Sequence, residues 1–378
     1  MVVKIDDGST DGVADAITVD SQIPDIRYHV HTDLEPVRPK GGWWPVRLGM
    51  QPVLRVTAKD CGAGFFALLL YALNQIIWAE DNGYAPHVFF GAHCRDGRLN
   101  RYYSAERGDN MWEYYFMPAS SARTTSTSFQ LSQKQLFGLH HLATASIQTY
   151  PHGVHRNLKV PRWRYDEGWH RRMRITANRV LTRYVRIRAE PLKVARAFYE
   201  QHILARGSRS LLGLHLRGTD KMRNIGGRIV PPSEYYPLIE FYLTKRPDAL
   251  LLVATDSPAF LRTMEKRYRG RLVAYSALRS ERNAFADRSI ADNYRKGEDA
   301  LVDSLLLSCA NVLIKPASAL SEFSVYFNPA LHNHTIELQY QVGALPPTQI
   351  LTEHLDSERE RLRDFHRCAP AMAPPVTP

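Results

Sequence analysis

The apolar positions of this chain fall into short alternating runs and longer continuous ones, separated by glycine and polar turns. VLRVTA (53–58) alternates as a strand does, KDCGAG (59–64) breaks it with two glycines, and FFALLLYALNQIIWAED (65–81) has the length and composition of a helix. PHVFFG (86–91) reads as the next strand, so the order strand–turn–helix–strand opens a parallel α/β domain. The aromatic stretch 95–160 has no sustained period and predicts loops and short helices. Residues 166–204 regain a helical pattern and bridge to the second half.

A second alternation starts at 210. LLGLHLR, ALLLVAT, RLVAYS, NVLIK and HTIELQY read as strands; PSEYYPLIEFYLTK, PAFLRTMEKRY, EDALVDSLLLSCA and SALSEFSVYF read as helices, with a long polar loop over 279–297. Repetition of this kind predicts a doubly wound parallel sheet, so the fold class is α/β with two Rossmann-like units. The expected organisation is an extension (1–45), an N-terminal α/β domain with bridging helices (46–205), a C-terminal Rossmann-like domain (206–345), and a helix near 350–366 with a Pro-rich, disordered tail (346–378 together).

Composition narrows the classes. The 378 residues are 44% hydrophobic and 23% charged, an ordinary globular balance. No apolar run reaches the roughly 20 residues that span a bilayer, and MVVKIDDGSTDG lacks the apolar core of a secretory signal, so a soluble chain is expected. The four cysteines (61, 94, 309 and 368) are far apart with no CxxC pair, which predicts neither a disulfide framework nor a zinc site and leans toward a reducing compartment. The net charge of +11 suits an anionic partner, whether nucleic acid or a phosphorylated small molecule. Much of the excess lies between Arg162 and Arg196 and reads as a solvated helix face; no nucleic-acid-binding signature accompanies it.

Ligands of open α/β sheets bind at the carboxyl ends of the strands, and three polar clusters fall there. In KDCGAGF, glycines at a helix start admit a phosphate to backbone N–H groups, or simply make a tight turn. In LLGLHLRGTDK, His215 and Arg217 share one face of a buried strand, and Asp220 and Lys221 follow in the loop. Arg217 offers a planar fork to a diphosphate, or forms a buried ion pair with an acid such as Asp220. In the third cluster Asp256 of ATDSP (254–258) ends a strand and can cap the next helix, Asp303 interrupts an apolar helix and needs a partner, and Ser318 opens a helix whose amides suit phosphate.

HLRGTDK, ATDSP and LVDSLLLSCANVLI followed by SAL, in this order, resemble the α1,6-fucosyltransferases of N-glycan cores and, more distantly, the nodulation fucosyltransferases. Those enzymes carry H-x-R-R-x-D-K, A-T-D-D-P and D…LSxAD…SS stretches. KDCGAGFFALLLYALNQIIWA adds a match to the family's K-x-C-G-x-G loop and first helix, so the matches span about 55–330. The resemblance implies a GT-B architecture with two sheets facing a cleft, GDP-fucose as donor, inversion at the anomeric carbon, and no cofactor or metal. It places Gly62 and Gly64 at the donor diphosphate, His215 and Asp303 at guanine or ribose, and Arg217 and Ser318 at the β-phosphate. Lys221 and Asp256 complete the expected donor set.

The chain departs from the family at Gly218, where a second arginine is expected, at Ser257, where a second aspartate is, and at Phe65, in place of a second loop cysteine. The family's carboxylate after TDK has no counterpart, so the candidate catalytic residues are Arg217 with Asp220 as base, then Glu234 and Asp256. The expected partners are a nucleotide sugar and a glycan or glycoconjugate, with no nucleic acid. Another nucleotide sugar, a protein O-fucosyltransferase and a polyanion binder are the alternative readings. Either the cytoplasm or a trimmed Golgi-type luminal domain fits the chain. IDDGSTDG (5–12) is similar to the aspartate stretch of metal-dependent GT-A enzymes but, without a preceding strand–helix unit, reads as a surface turn.

Overall fold

The computed structural model of the chain describes residues 52–58, 61–121, 128–139, 141–142, 167–208, 210–219, 229–281, 287, 289–338, 348–349 and 351–356. Asp220, Lys221, Cys368 and the IDDGSTDG stretch lie outside these residues, as does most of the proposed terminal helix.

The N-terminal half contains β1 (Val53–Thr57), α1 (Phe65–Asp81) and β2 (Ala85–Phe89), with β1 and β2 paired in parallel. Two short helices, α2 (Trp112–Tyr115) and α3 (Gln133–Gly138), follow. The single helical stretch expected over 166–204 is two helices, α4 (Glu167–Tyr184) and α5 (Ala189–His202). The break between them is anchored from outside: Ile187 bridges Phe116, and the Arg188 N–H donates to the Tyr115 carbonyl at 2.8 Å.

The C-terminal half alternates β3 (Leu211–Leu216), α6 (Tyr236–Lys245), β4 (Leu250–Thr255), α7 (Pro258–Arg267), β5 (Leu272–Val273), α8 (Asn293–Ser308), β6 (Val312–Lys315), α9 (Ala319–Phe327) and β7 (Thr335–Glu337). The strands form one parallel sheet in the order β5-β4-β3-β6-β7. The protein is therefore α/β with parallel sheets. Strand periodicity divides the core: Leu212, Leu214 and Leu216 face α6 and α7, whereas Leu211, Gly213 and His215 face α8 and α9. At Gly213 a Cβ would lie 2.9 Å from the Ala310 Cβ, so glycine lets the end of α8 approach the sheet.

α8 begins at Asn293, five residues earlier than the polar pattern predicts. Asp292 caps it by accepting from the Arg295 N–H at 2.8 Å. Gly297, which weakens the helical signal, is required because a Cβ there would sit 2.4 Å from the Tyr115 hydroxyl oxygen. That contact joins the two halves, and one buried cluster runs without interruption from β1 through α1, α4 and α8 to α9. Leu351 and Leu355 pack into the second cluster on the opposite face of the sheet. Among the described residues no helix is long and apolar enough to cross a membrane.

Candidate functional site

The carboxyl ends of β3, β4 and β6 lie side by side, which brings together residues far apart in the chain. His215 is 2% exposed, and its Nδ1 lies 2.8 Å from the Ser321 Oγ in the first turn of α9. Its carbonyl accepts from the Tyr235 hydroxyl at 2.7 Å, so His215 is a hydrogen-bonded core histidine under that helix start. Ser318 occupies the N-cap of α9, yet its side chain makes no capping bond. The amides of Ala319, Leu320 and Ser321 therefore keep the unsatisfied donor character of a helix N-terminus.

Arg217 pairs with Asp256, its Nε 3.3 Å from the Asp256 Oδ2. The same carboxylate accepts from the Gly218 N–H at 2.8 Å and the Thr219 hydroxyl at 2.7 Å. Asp256 is thus the organiser of the loop after β3. The expected helix cap is instead Ser257, whose Oγ accepts from the Phe260 N–H at 3.3 Å. Glu234 ends a short 3-10 turn (Pro232–Glu234) ahead of α6 and is half-buried.

The third cluster is built on α8 and the loop after β5. Asp299 is buried, accepts from the Leu278 N–H at 2.7 Å, and leaves its Oδ1 without a partner among the described residues. Arg279 donates to the carbonyls of Ala277 at 3.0 Å and Tyr275 at 2.6 Å, and its buried Nε has no partner among the described residues. Asp303, one helical turn on from Asp299, is 7% exposed and receives no hydrogen bond from any described residue. Burial pushes its carboxyl up to about 8; Arg279 opposes that rise and the Asp299 charge adds to it. Burial also raises Asp299, against the Leu278 amide, Arg295 and Tyr275, which hold it down.

The glycine loop sits close by, because Phe66 in the first turn of α1 packs on Phe323 of α9 with ring centroids 4.8 Å apart. Gly64 has φ −73° and ψ 165°, open to any residue, so no left-handed backbone explains it. Two contacts hold the loop. The Phe65 N–H donates to the Tyr102 hydroxyl at 2.8 Å, and a Cys61–Cys94 disulfide ties it to the segment after β2. That bridge corrects the expectation drawn from cysteine spacing: β1 and β2 are parallel neighbours, so loops 33 residues apart in sequence meet at one edge.

Beneath α9 lies a buried ionic network. Lys315, fully buried, is 2.9 Å from Glu322 and 3.3 Å from Glu337; Arg174 reaches Glu322 at 2.6 Å and His332 at 2.9 Å. Burial raises the Glu337 carboxyl and Lys315 lowers it. Arg174 therefore corrects the reading of the Arg162–Arg196 stretch as a solvated face, and Arg179 and Arg183 are also engaged, with Glu80 at 3.0 Å each.

The structure brings His215, Arg217, Asp256 and Ser318 to one sheet edge, with Asp303 on the helix beside it and Gly62 and Gly64 on the loop that α1 brings against α9. Tyr102, Tyr275, Arg279, Asp299 and Ser321 are additions that no motif marked; only the polar character of Asp299 within an apolar helix hinted at one of them. Among the described residues no group of three or more His, Cys, Asp or Glu could hold a metal ion.

No family model matches the chain, and no curated protein does. Among solved structures, the fucosyltransferase NodZ from Bradyrhizobium aligns at 14% identity with a TM-score of 0.42, over 76% of this chain and 95% of that one. A mutant of Arabidopsis thaliana FUT1 in complex with GDP aligns at 11% identity and a TM-score of 0.40, over 78% and 71%. POFUT1 in complex with GDP aligns at 10% identity and a TM-score of 0.28, over 42% and 48%.

Proposed function

We propose that the chain is a GT-B glycosyltransferase that transfers fucose from GDP-fucose to a glycan hydroxyl, with inversion and without a metal, in the manner of the α1,6-fucosyltransferases it resembles. The observation that carries this reading is the buried cluster of Asp303, Asp299 Oδ1 and Arg279 Nε, two acceptors and one donor left unbonded next to the sheet's carboxyl edge. A buried polar group without a protein partner calls for an explanation, and here three of them converge beside a strand-end loop, where a ligand would supply the partners. Guanine presents two adjacent N–H donors beside a carbonyl acceptor, which satisfies a carboxylate and a guanidinium together. Adenine places a donor next to an acceptor on that edge and leaves a carboxylate half-served.

The rest of the donor follows from charge. Arg217, oriented by Asp256, and the uncapped start of α9 at Ser318 supply positive potential for the diphosphate, with the Gly62–Gly64 loop beside it and Lys221 as a further candidate contact. In the reaction the acceptor oxygen bonds to the anomeric carbon as the bond to the β-phosphate oxygen breaks. The electron pair departs on GDP, stabilised by Arg217, and the acceptor proton passes to a carboxylate, Asp220 before Glu234. The Cys61–Cys94 bridge supports an oxidising compartment over a reducing one.

A thermal-shift panel of GDP, ADP, UDP and CDP, each with EDTA and with magnesium, tests the reading. GDP is expected to give the largest shift, undiminished by EDTA, and GDP release from GDP-fucose with a glycan acceptor is expected to vanish in Arg217→Ala. Equal shifts from all four nucleotides, or steeply salt-dependent binding of any polyanion, would overturn it in favour of a polyanion binder.

A further inference from the structure

The five-stranded sheet ends at β5, and among the described residues no strand pairs with its outer side. A groove of about 470 Å³ runs along it, lined by five consecutive residues from Leu272 to Ser276 and by side chains of α5 and α7. β5 itself is Leu272–Val273, and the edge continues through Ala274 before a tight turn in which the Ala277 N–H donates to the Tyr275 carbonyl at 2.8 Å. Ala274, just past the two paired residues of β5, makes no backbone hydrogen bond with any described residue, so its N–H and C=O remain to be paired.

The walls of the groove state what it would accept. On the α5 side Phe198 packs on His202 at a tilt, with centroids 4.6 Å apart, and meets Tyr275 edge-on at 5.6 Å, giving an aromatic floor. Arg206, at the same end, reaches the Gly270 carbonyl at 3.4 Å, and Arg269 stands on the α7 side with Glu265 as the acidic member of the lining. Two arginines against one carboxylate favour an acidic occupant. The same cations face each other when two copies pair edge to edge, which disfavours self-association through β5.

We propose that this edge binds an extended acidic peptide segment by strand addition, its backbone pairing with Ala274 and its acidic side chains meeting Arg206 and Arg269. The site is independent of the donor cluster in its chemistry, although Tyr275 touches both, since its carbonyl accepts from Arg279 at 2.6 Å.

Fluorescence anisotropy with a labelled Glu-Val-Glu-Val-Glu-Val peptide tests it on the full chain, against the Lys-Val counterpart and against the acidic peptide N-methylated on alternate amides. The acidic peptide is expected to bind at least about tenfold tighter than either control, and Arg206→Glu with Arg269→Glu to reverse the charge preference. Both arginines are exposed, so these variants keep the fold, and a thermal melt of each confirms it. Equal binding of acidic and basic peptides, undiminished binding of the N-methylated peptide, or a concentration-dependent dimer that Arg206→Glu strengthens would each overturn the proposal.

Discussion

Gly218 and Ser257 are packed against each other: a Cβ on Gly218 would lie 2.7 Å from the Ser257 Cβ and 3.2 Å from the Phe260 ring. These are the two strand-end positions at which the chain departs from the stretches it resembles, and they meet in space. A longer residue at 218 has no room while α7 starts where it does. The chain keeps the loop after β3 flat against that helix and lets Asp256 bond its backbone. Gly218→Ala should therefore cost about 1–3 kcal/mol, as an overpacked site does, and loosen the Arg217–Asp256 pair. Urea unfolding at neutral pH measures the first effect and GDP affinity the second.

Asp303 sets a pH dependence of stability. Its folded-state carboxyl stands at about 8, above the unfolded value, so between the two the native state holds the extra proton. Stability contributed at that site is present at low pH and is lost as pH rises from about 4 toward 8, on the order of a few kcal/mol. Melting curves between pH 5 and 8.5 should fall more steeply for the parent chain than for Asp303→Asn. Donor binding should run the other way: guanine N–H donors favour the carboxylate, so GDP affinity should rise with pH in the parent and stay level in the variant.

Glu322 links Lys315 of β6 to Arg174 of α4, all three side chains being at most 5% exposed. Removing its charge leaves two buried cations with one remaining acid, Glu337. Glu322→Gln is expected to destabilise by about 3–5 kcal/mol, whereas Arg179→Ala, at a partly exposed pair with Glu80, should cost no more than about 1 kcal/mol. Denaturant unfolding of the two variants side by side makes the comparison.

The Cys61–Cys94 bridge closes a loop with a sequence separation of 33. Chain-entropy reasoning assigns such a loop about 4 kcal/mol, so Cys94→Ser or a reducing agent should lower the melting temperature. Peptide mapping without reduction should recover the Cys61–Cys94 pair. Because the bridge holds the glycine loop, GDP should protect the reduced protein less than the oxidised one.

Much of the architecture was legible in the chain because its central strands β3, β4 and β6 are buried on both faces. LLGLHL and LLLVAT read as continuous apolar runs, and the apolar stretch of α1 carried its full length. Where the pattern misled, a tertiary contact had overridden a local rule. Gly297 lies inside α8 because Tyr115 needs its space, and the bridging helices separate where Ile187 and Arg188 are held by α2 and Phe116.

The sequence by itself determined the order of strands and helices, the polar residues at strand ends, and the motifs that point to a nucleotide sugar. It could not assign partners. Asp256 serves the loop after β3 because β3 and β4 are sheet neighbours, although Gly218 and Asp256 are 38 residues apart. Arg174 is buried with Glu322 across 148 residues because α4 packs on α9. Which acid meets which base depends on distances that only the closed sheet and its packed helices create, and a one-dimensional pattern carries periodicity but not those distances.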